Sequence, residues 1–140
     1  MDPLSCAASV IAVVQLTDRI VQVCGRYLGS VMNAREDIQQ LQERVAALAQ
    51  VLRSLVELLR GPHSTRLPVT SEMASNIAMC SSMLTKLKGR IDPERRQSRM
   101  RRLGLRACKW PLNRSEFKGS LDELERYVTT FGMSLQVDQM

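Results

Sequence analysis

Aromatic residues are scarce: one Trp, two Tyr and two Phe make up 4% of the 140-residue chain. The single histidine, His63, sits in the turn-forming run Gly61-Pro62-His63-Ser64, with no ligand cluster beside it. The four cysteines, Cys6, Cys24, Cys80 and Cys108, form no CxxC pair. That spacing excludes the usual paired-cysteine zinc and redox motifs. A Gly-rich phosphate loop, an HExxH and a GxSxG are all missing. Ser75, Ser81, Ser82 and Thr85 have no nearby base to activate them as nucleophiles. Neither an enzyme nor a bound cofactor or metal is therefore expected. Strand-type alternation is absent too.

What is present suits one helical domain. The hydrophobic fraction, 44%, is near the globular norm and supplies a core. The five prolines, at 3, 62, 68, 93 and 111, fall at helix starts or between apolar periodic runs. No secretion signal is apparent, because the residues before the first apolar run carry Asp2 and no Lys or Arg. A reducing compartment with free thiols is expected. Cys6, Cys24 and Cys80 then read as small buried hydrophobes.

The most informative absence is charge between residues 3 and 17. Asp2 suits a helix N-cap, and Pro3 suits the first helical position, where its missing amide hydrogen is not needed. Apolar residues fall on every side of this helix, which marks it as buried in a core or in a bilayer. Fifteen residues of helix reach about 22 Å, short of a hydrocarbon core of roughly 30 Å. A core helix in the resting protein is expected. The helical pattern continues through Ile20, Val23, Tyr27, Leu28 and Met32. A full span would place Asp18 and Arg19 in the bilayer, at about 3 kcal/mol each near its centre unless paired.

Three further helices carry heptad-like seams. The second, over residues 36–60, has Ile38, Leu41, Val45, Leu48, Leu52, Leu55 and Leu59 in alternating steps of three and four. Val51, Val56 and Leu58 widen the stripe toward a globular bundle. The third, capped by Thr70 or Ser71, uses Met73, Ile77, Cys80, Leu84, Leu87 and Ile91, and Asp92-Pro93 should end it. The last, capped by Ser115, uses Phe117, Leu121, Leu124, Val128, Phe131 and Leu135, with Tyr127 at its flank. The fold class expected is all-α. It is a four-helix bundle with the first helix surrounded by the others, and a short basic helix or loop before the last.

Charge is uneven. Of 20 Lys and Arg residues, 12 lie between Lys86 and Lys118, against 3 of the 14 acids. Arg95, Arg96, Arg99, Arg101, Arg102, Arg106 and Lys109 crowd together there, followed by Trp110. Anionic lipid headgroups match such a patch at about 1 kcal/mol per basic residue near the surface. Trp110 beside Lys109 fits an interfacial anchor, or equally a cap over the bundle end. A solvated patch with no partner is the plainer reading. Nucleic acid fits less well, since the patch holds one aromatic and no groove-reading motif.

Met1-Asp-Pro-Leu-Ser, Ala7-Ala-Ser-Val-Ile-Ala-Val, Gln15-Leu16, Asp37-Ile38, Lys109-Trp110-Pro111 and Leu124-Glu125-Arg126-Tyr127 together resemble the N-terminal domain of fungal STAND proteins, the HeLo-like family. The likeness runs over nearly the whole chain and is most specific at its start. The arginine density of residues 94–106 departs from it. The resemblance implies a helical bundle at the front of a NOD-like receptor, ahead of nucleotide-binding and repeat domains of the same chain. It implies kinship with HeLo and mixed-lineage kinase-like cell-death domains. It also implies membrane attack: the chain forms a homo-oligomer on activation, moves from the cytoplasm to the plasma membrane, and its first helix enters the bilayer. On that reading Leu4, Val10, Ile11, Val13, Val14 and Leu16 insert, while Arg95, Arg96, Arg99, Arg101, Arg102, Lys109 and Trp110 meet the lipid surface. The chain's stop just after its last helix fits a domain cut from a longer receptor. The competing expectation is a soluble homotypic adaptor bundle without membrane activity.

Overall fold

The structure, a computed structural model, describes residues 3–30, 34–61, 71–92 and 110–139. They form four helices: α1 (Pro3–Ser30), α2 (Arg35–Arg60), α3 (Ser71–Ile91) and α4 (Arg114–Gln139), and no strand occurs among the described residues. This is the expected all-α four-helix bundle. The stretch expected to hold a short basic helix or loop lies largely outside the described residues.

Cross-helix polar pairs fix the directions. Leu28 near the end of α1 meets Arg35 at the start of α2, so these helices are antiparallel. Asp37 pairs with Arg114 and Arg44 with Glu125, advancing the same way along α2 and α4, which are parallel. Arg90 in the last turn of α3 pairs with Glu116 in the first turn of α4 at 3.3 Å, so α3 runs with α1. The helices occupy the corners of a square. α1 packs along the length of α2, α4 packs on α2, and α3 packs on α1. The fourth edge, between α3 and α4, is loose.

The seams form one core. All seven α2 seam residues are buried, joined by Ala49, and all six of the α3 seam are buried. A fully buried Leu such as Leu48 or Leu84 contributes about 1.5–3 kcal/mol through area removed from water. In α4, Phe117, Leu124, Tyr127 and Phe131 are buried, while Leu121, Val128 and Leu135 lie half-buried against the core. Tyr127 is thus a seam residue and Val128 the flank, and the Tyr127 ring stacks on Phe131 at 6.1 Å.

The first helix is a corner, contrary to the expectation that the others surround it. Its buried seam is Cys6, Val10, Val13, Thr17, Ile20, Cys24 and Tyr27, in the same alternating steps of four and three. Its outer row, Ser5, Ala8, Ala12, Gln15, Arg19, Gln22 and Arg26, is exposed. Ala counts as apolar in a sequence pattern, but its small side chain does not demand burial.

Helix ends follow local chemistry. The start of α4 is a capping box. Asn113 Oδ1 accepts from the Glu116 amide at 2.8 Å, and Glu116 Oε1 accepts from the Asn113 amide at 3.3 Å. Asn113, not Ser115, is therefore the cap. The end of α2 needs glycine, since a Cβ on Gly61 would lie 2.9 Å from the Glu57 carbonyl oxygen. Its start is poorly capped: Ala34 is left-handed, at φ 61 and ψ 18, and makes no side-chain cap bond. The expected stop before Pro93 is met at Ile91. Ser71 is the first residue of α3, and Thr70 lies outside the described residues.

Candidate functional site

With no catalytic constellation to build, the site residues are those of α1 and of the basic end. Val10 and Val13 sit in the buried seam, at 0% and 2% exposure. Ile11, Val14 and Leu16 are half-buried beside it. Leu4 lies in the first turn of α1, and its side chain is outside the described residues. The helix contains Ser5–Gly29, 25 residues long and apolar enough to cross a membrane by length and composition. The core helix of a soluble protein passes the same test.

The polar groups of α1 divide along its length. Thr17 is the one polar residue buried in the core of the described residues, and its Oγ1 donates to the Val14 carbonyl of its own helix at 2.6 Å. A buried hydroxyl satisfied this way needs no partner on another helix. Beyond it lie three ties to α2. Arg53 donates to Asp18 at 2.6 Å, Gln42 Nε2 to the Val21 carbonyl at 3.1 Å, and Arg35 to the Leu28 carbonyl at 2.5 Å.

The basic end is where α1 and α3 finish and α2 and α4 begin. Lys86, Arg90, Arg114 and Lys118 are exposed there, and Lys88 is half-buried. Arg90 and Arg114 are partly neutralised by Glu116 and Asp37. Arg95, Arg96, Arg99, Arg101, Arg102 and Lys109 lie outside the described residues. Trp110 is half-buried. Its ring meets Tyr27 edge-on, with centroids 5.0 Å apart and planes at 86°. Its Nε1 is shielded from solvent and finds no acceptor among the described residues. In this state the indole closes the end of α1.

The loose α3–α4 edge opens into a cleft of about 440 Å³, which sequence reasoning did not anticipate. Met79 and Met83 line one wall, and Gly119 and Ser120 the other, between Lys86, Arg90 and Glu123. Met79 is 53% exposed. Adjacent seams do not reveal how closely two helices approach, so no sequence signal marked this opening.

Cys6, Cys24 and Cys80 are free and buried, as expected of small core hydrophobes. Burial pushes the Cys80 thiol up to about 12. A thiol held protonated in this way is a poor nucleophile and a poor metal ligand. Among the described residues no group of three or more His, Cys, Asp or Glu is placed to hold a metal ion.

These features define a helical-bundle module that presents an apolar first helix, a basic end and one open edge. The chain belongs to the family described as pigment biosynthesis cluster protein PigL N-terminal, whose profile matches residues 1–138. No curated protein and no solved structure matches the chain.

Proposed function

We propose that this domain is a membrane-targeting, cell-death-inducing effector that acts by releasing its apolar first helix into the bilayer. The observation that carries the reading is the composition of α1. A helix long and apolar enough to cross a membrane is stored with one face, Val10, Val13, Ile20, Val23 and Tyr27 among it, in the core. Its buried hydroxyl is satisfied internally and residues 3–17 carry no charge, so Gln15 is the most polar side chain the segment brings to lipid. The sequence likeness of its first residues to HeLo-like domains supports the same reading. On it the basic residues 86–118, including the seven from Arg95 to Lys109, adsorb to anionic headgroups of the plasma membrane. Adsorption and insertion are separate steps, because only an apolar segment enters the hydrocarbon core. Activation by nucleotide-binding and repeat domains of a longer receptor, with homo-oligomerisation, is part of the proposal.

A second reading is a soluble oligomerising adaptor, favoured by the α3–α4 cleft with its exposed Met79 and charges of both signs. Dye-loaded vesicles with and without phosphatidylserine separate the two. The membrane reading expects dye release that rises with anionic lipid and weakens with salt. Oligomerisation without any release favours the adaptor. Deleting residues 2–16, with folding of the remaining helices checked first, should abolish release while leaving adsorption.

A further inference from the structure

We infer that α1 is built in two parts, a detachable half over residues 3–17 and a bolted half from Asp18 onward. The inference rests on the membrane reading for its purpose, but not for its physical basis. The detachable half buries small side chains, Cys6, Ala7, Val10 and Val13. The bolted half buries the larger set of side chains, Ile20, Val23, Cys24 and Tyr27.

The second half carries polar and ring ties across the bundle. Asp18–Arg53, Val21–Gln42, Leu28–Arg35 and the Tyr27–Trp110 ring pair all fasten the second half to other parts of the bundle. In the first half the Ser9 and Thr17 hydroxyls bond back to Ser5 and Val14 of α1 itself. Packing differs too. A surface crevice of about 290 Å³, lined by Ser9, Ala12, Val13, Ala74, Ile77 and Ala78, runs beside the contact of the first half with α3. Regions with few buried apolar contacts open at lower free energy than the whole fold. The junction coincides with the first charges of the helix, Asp18 and Arg19.

The division sets a reach. A detached half of 15 residues extends about 22 Å, past the middle of a bilayer but not across it. Residue 17 lies midway along the bundle. Asp18 and Arg19 then stop at the headgroups.

Native thiols test this without mutation. Trypsin places Cys6, Cys24 and Cys80 on separate peptides, since it cuts after Arg19, Arg26 and Arg66. Pulse labelling of the folded protein with a maleimide, read by mass spectrometry, gives each thiol's protection relative to its rate in urea. The expected result is Cys6 labelled at least roughly tenfold faster than Cys24 and Cys80. Native-state hydrogen exchange separates a detaching unit from a fraying end. Amides from Val10 to Thr17 should share one opening free energy, with a step at Asp18. Equal labelling of the three thiols, or a smooth gradient through Thr17 and Asp18, overturns the two-part helix. On vesicles that release dye, Cys24 should stay protected, and its loss together with Cys6 would show whole-helix release and overturn it as well. A Cys6-first opening with the hydrogen-exchange step, but no dye release, upholds the two-part helix and defeats the membrane reading.

Discussion

α2 and α1 are of nearly equal length, 26 and 28 residues, and pack on each other along the bundle. Everything in α2 serves that packing. Its seam is Ile, Leu and Val, its outer face carries Glu36, Glu43, Arg53 and Glu57, and its first turn is acidic as the helix dipole favours. α1 follows the same seam spacing, yet its first half has an outer face of Ser5, Ala8, Ala12 and Gln15 with no charge. A bundle corner has no need to exclude charge from its solvent face. The difference teaches that packing explains α2 completely and explains only the inner row of α1's first half.

The largest expected effect lies in α2. Leu48→Ala removes a fully buried side chain and should destabilise by roughly 2–5 kcal/mol in urea melts. Val10→Ala in the first half of α1 deletes two methyl groups and should destabilise by less than Leu48→Ala. Equal losses would erase the energetic contrast between the two helices.

Next comes a pH effect from α3, the partner of α1. Burial raises the Cys80 thiol from 9.0 to about 12. The folded state thus holds a proton that the unfolded chain releases above about pH 9. Its contribution is fully present below that value and is lost as pH rises toward 12. Urea midpoints should therefore fall more steeply with pH above 9 for the wild type than for Cys80→Ala. Parallel curves would show that Cys80 is not shielded as its burial implies.

A smaller effect sits where the two helices join. Ala34 pays for a left-handed backbone, at φ 61, that glycine adopts freely. Ala34→Gly should raise stability by up to about 1 kcal/mol, and a loss of stability would contradict the strain. Smaller still, Arg53→Ala removes a half-exposed ion pair with Asp18 and should cost about 0–1 kcal/mol. Its sharper signature is selective: protection of Cys24 should drop while that of Cys6 stays unchanged.

Much of this was legible in the residues. The α2 and α3 seams follow the three-four spacing residue for residue, because each heptad position there has an apolar occupant. Reading failed where size mattered more than class. Ala8 and Ala12 made α1 look buried all round, and only the packing placed it at a corner. At α4 an Asn-x-x-Glu box at Asn113 outcompeted Ser115, although the spacing was visible. Tyr127 took the seam position rather than Val128, a choice that three-four spacing leaves open because both fit between Leu124 and Phe131. The α3–α4 cleft depends on an interhelix distance that no single seam specifies.

On the proposed function, the uncharged outer face of the first half of α1 exists for the bilayer and not for the bundle. Ala8 and Ala46 are both exposed, one on α1 and one on α2. Ala8→Asp and Ala46→Asp each lose helix propensity of about 0.7 kcal/mol and disturb no core contact, so both proteins should fold with similar stability. Measured on phosphatidylserine vesicles, Ala46→Asp should release dye like the wild type, and Ala8→Asp should release almost none. Full release by a folded Ala8→Asp protein, or no release by the wild type, would contradict the claim.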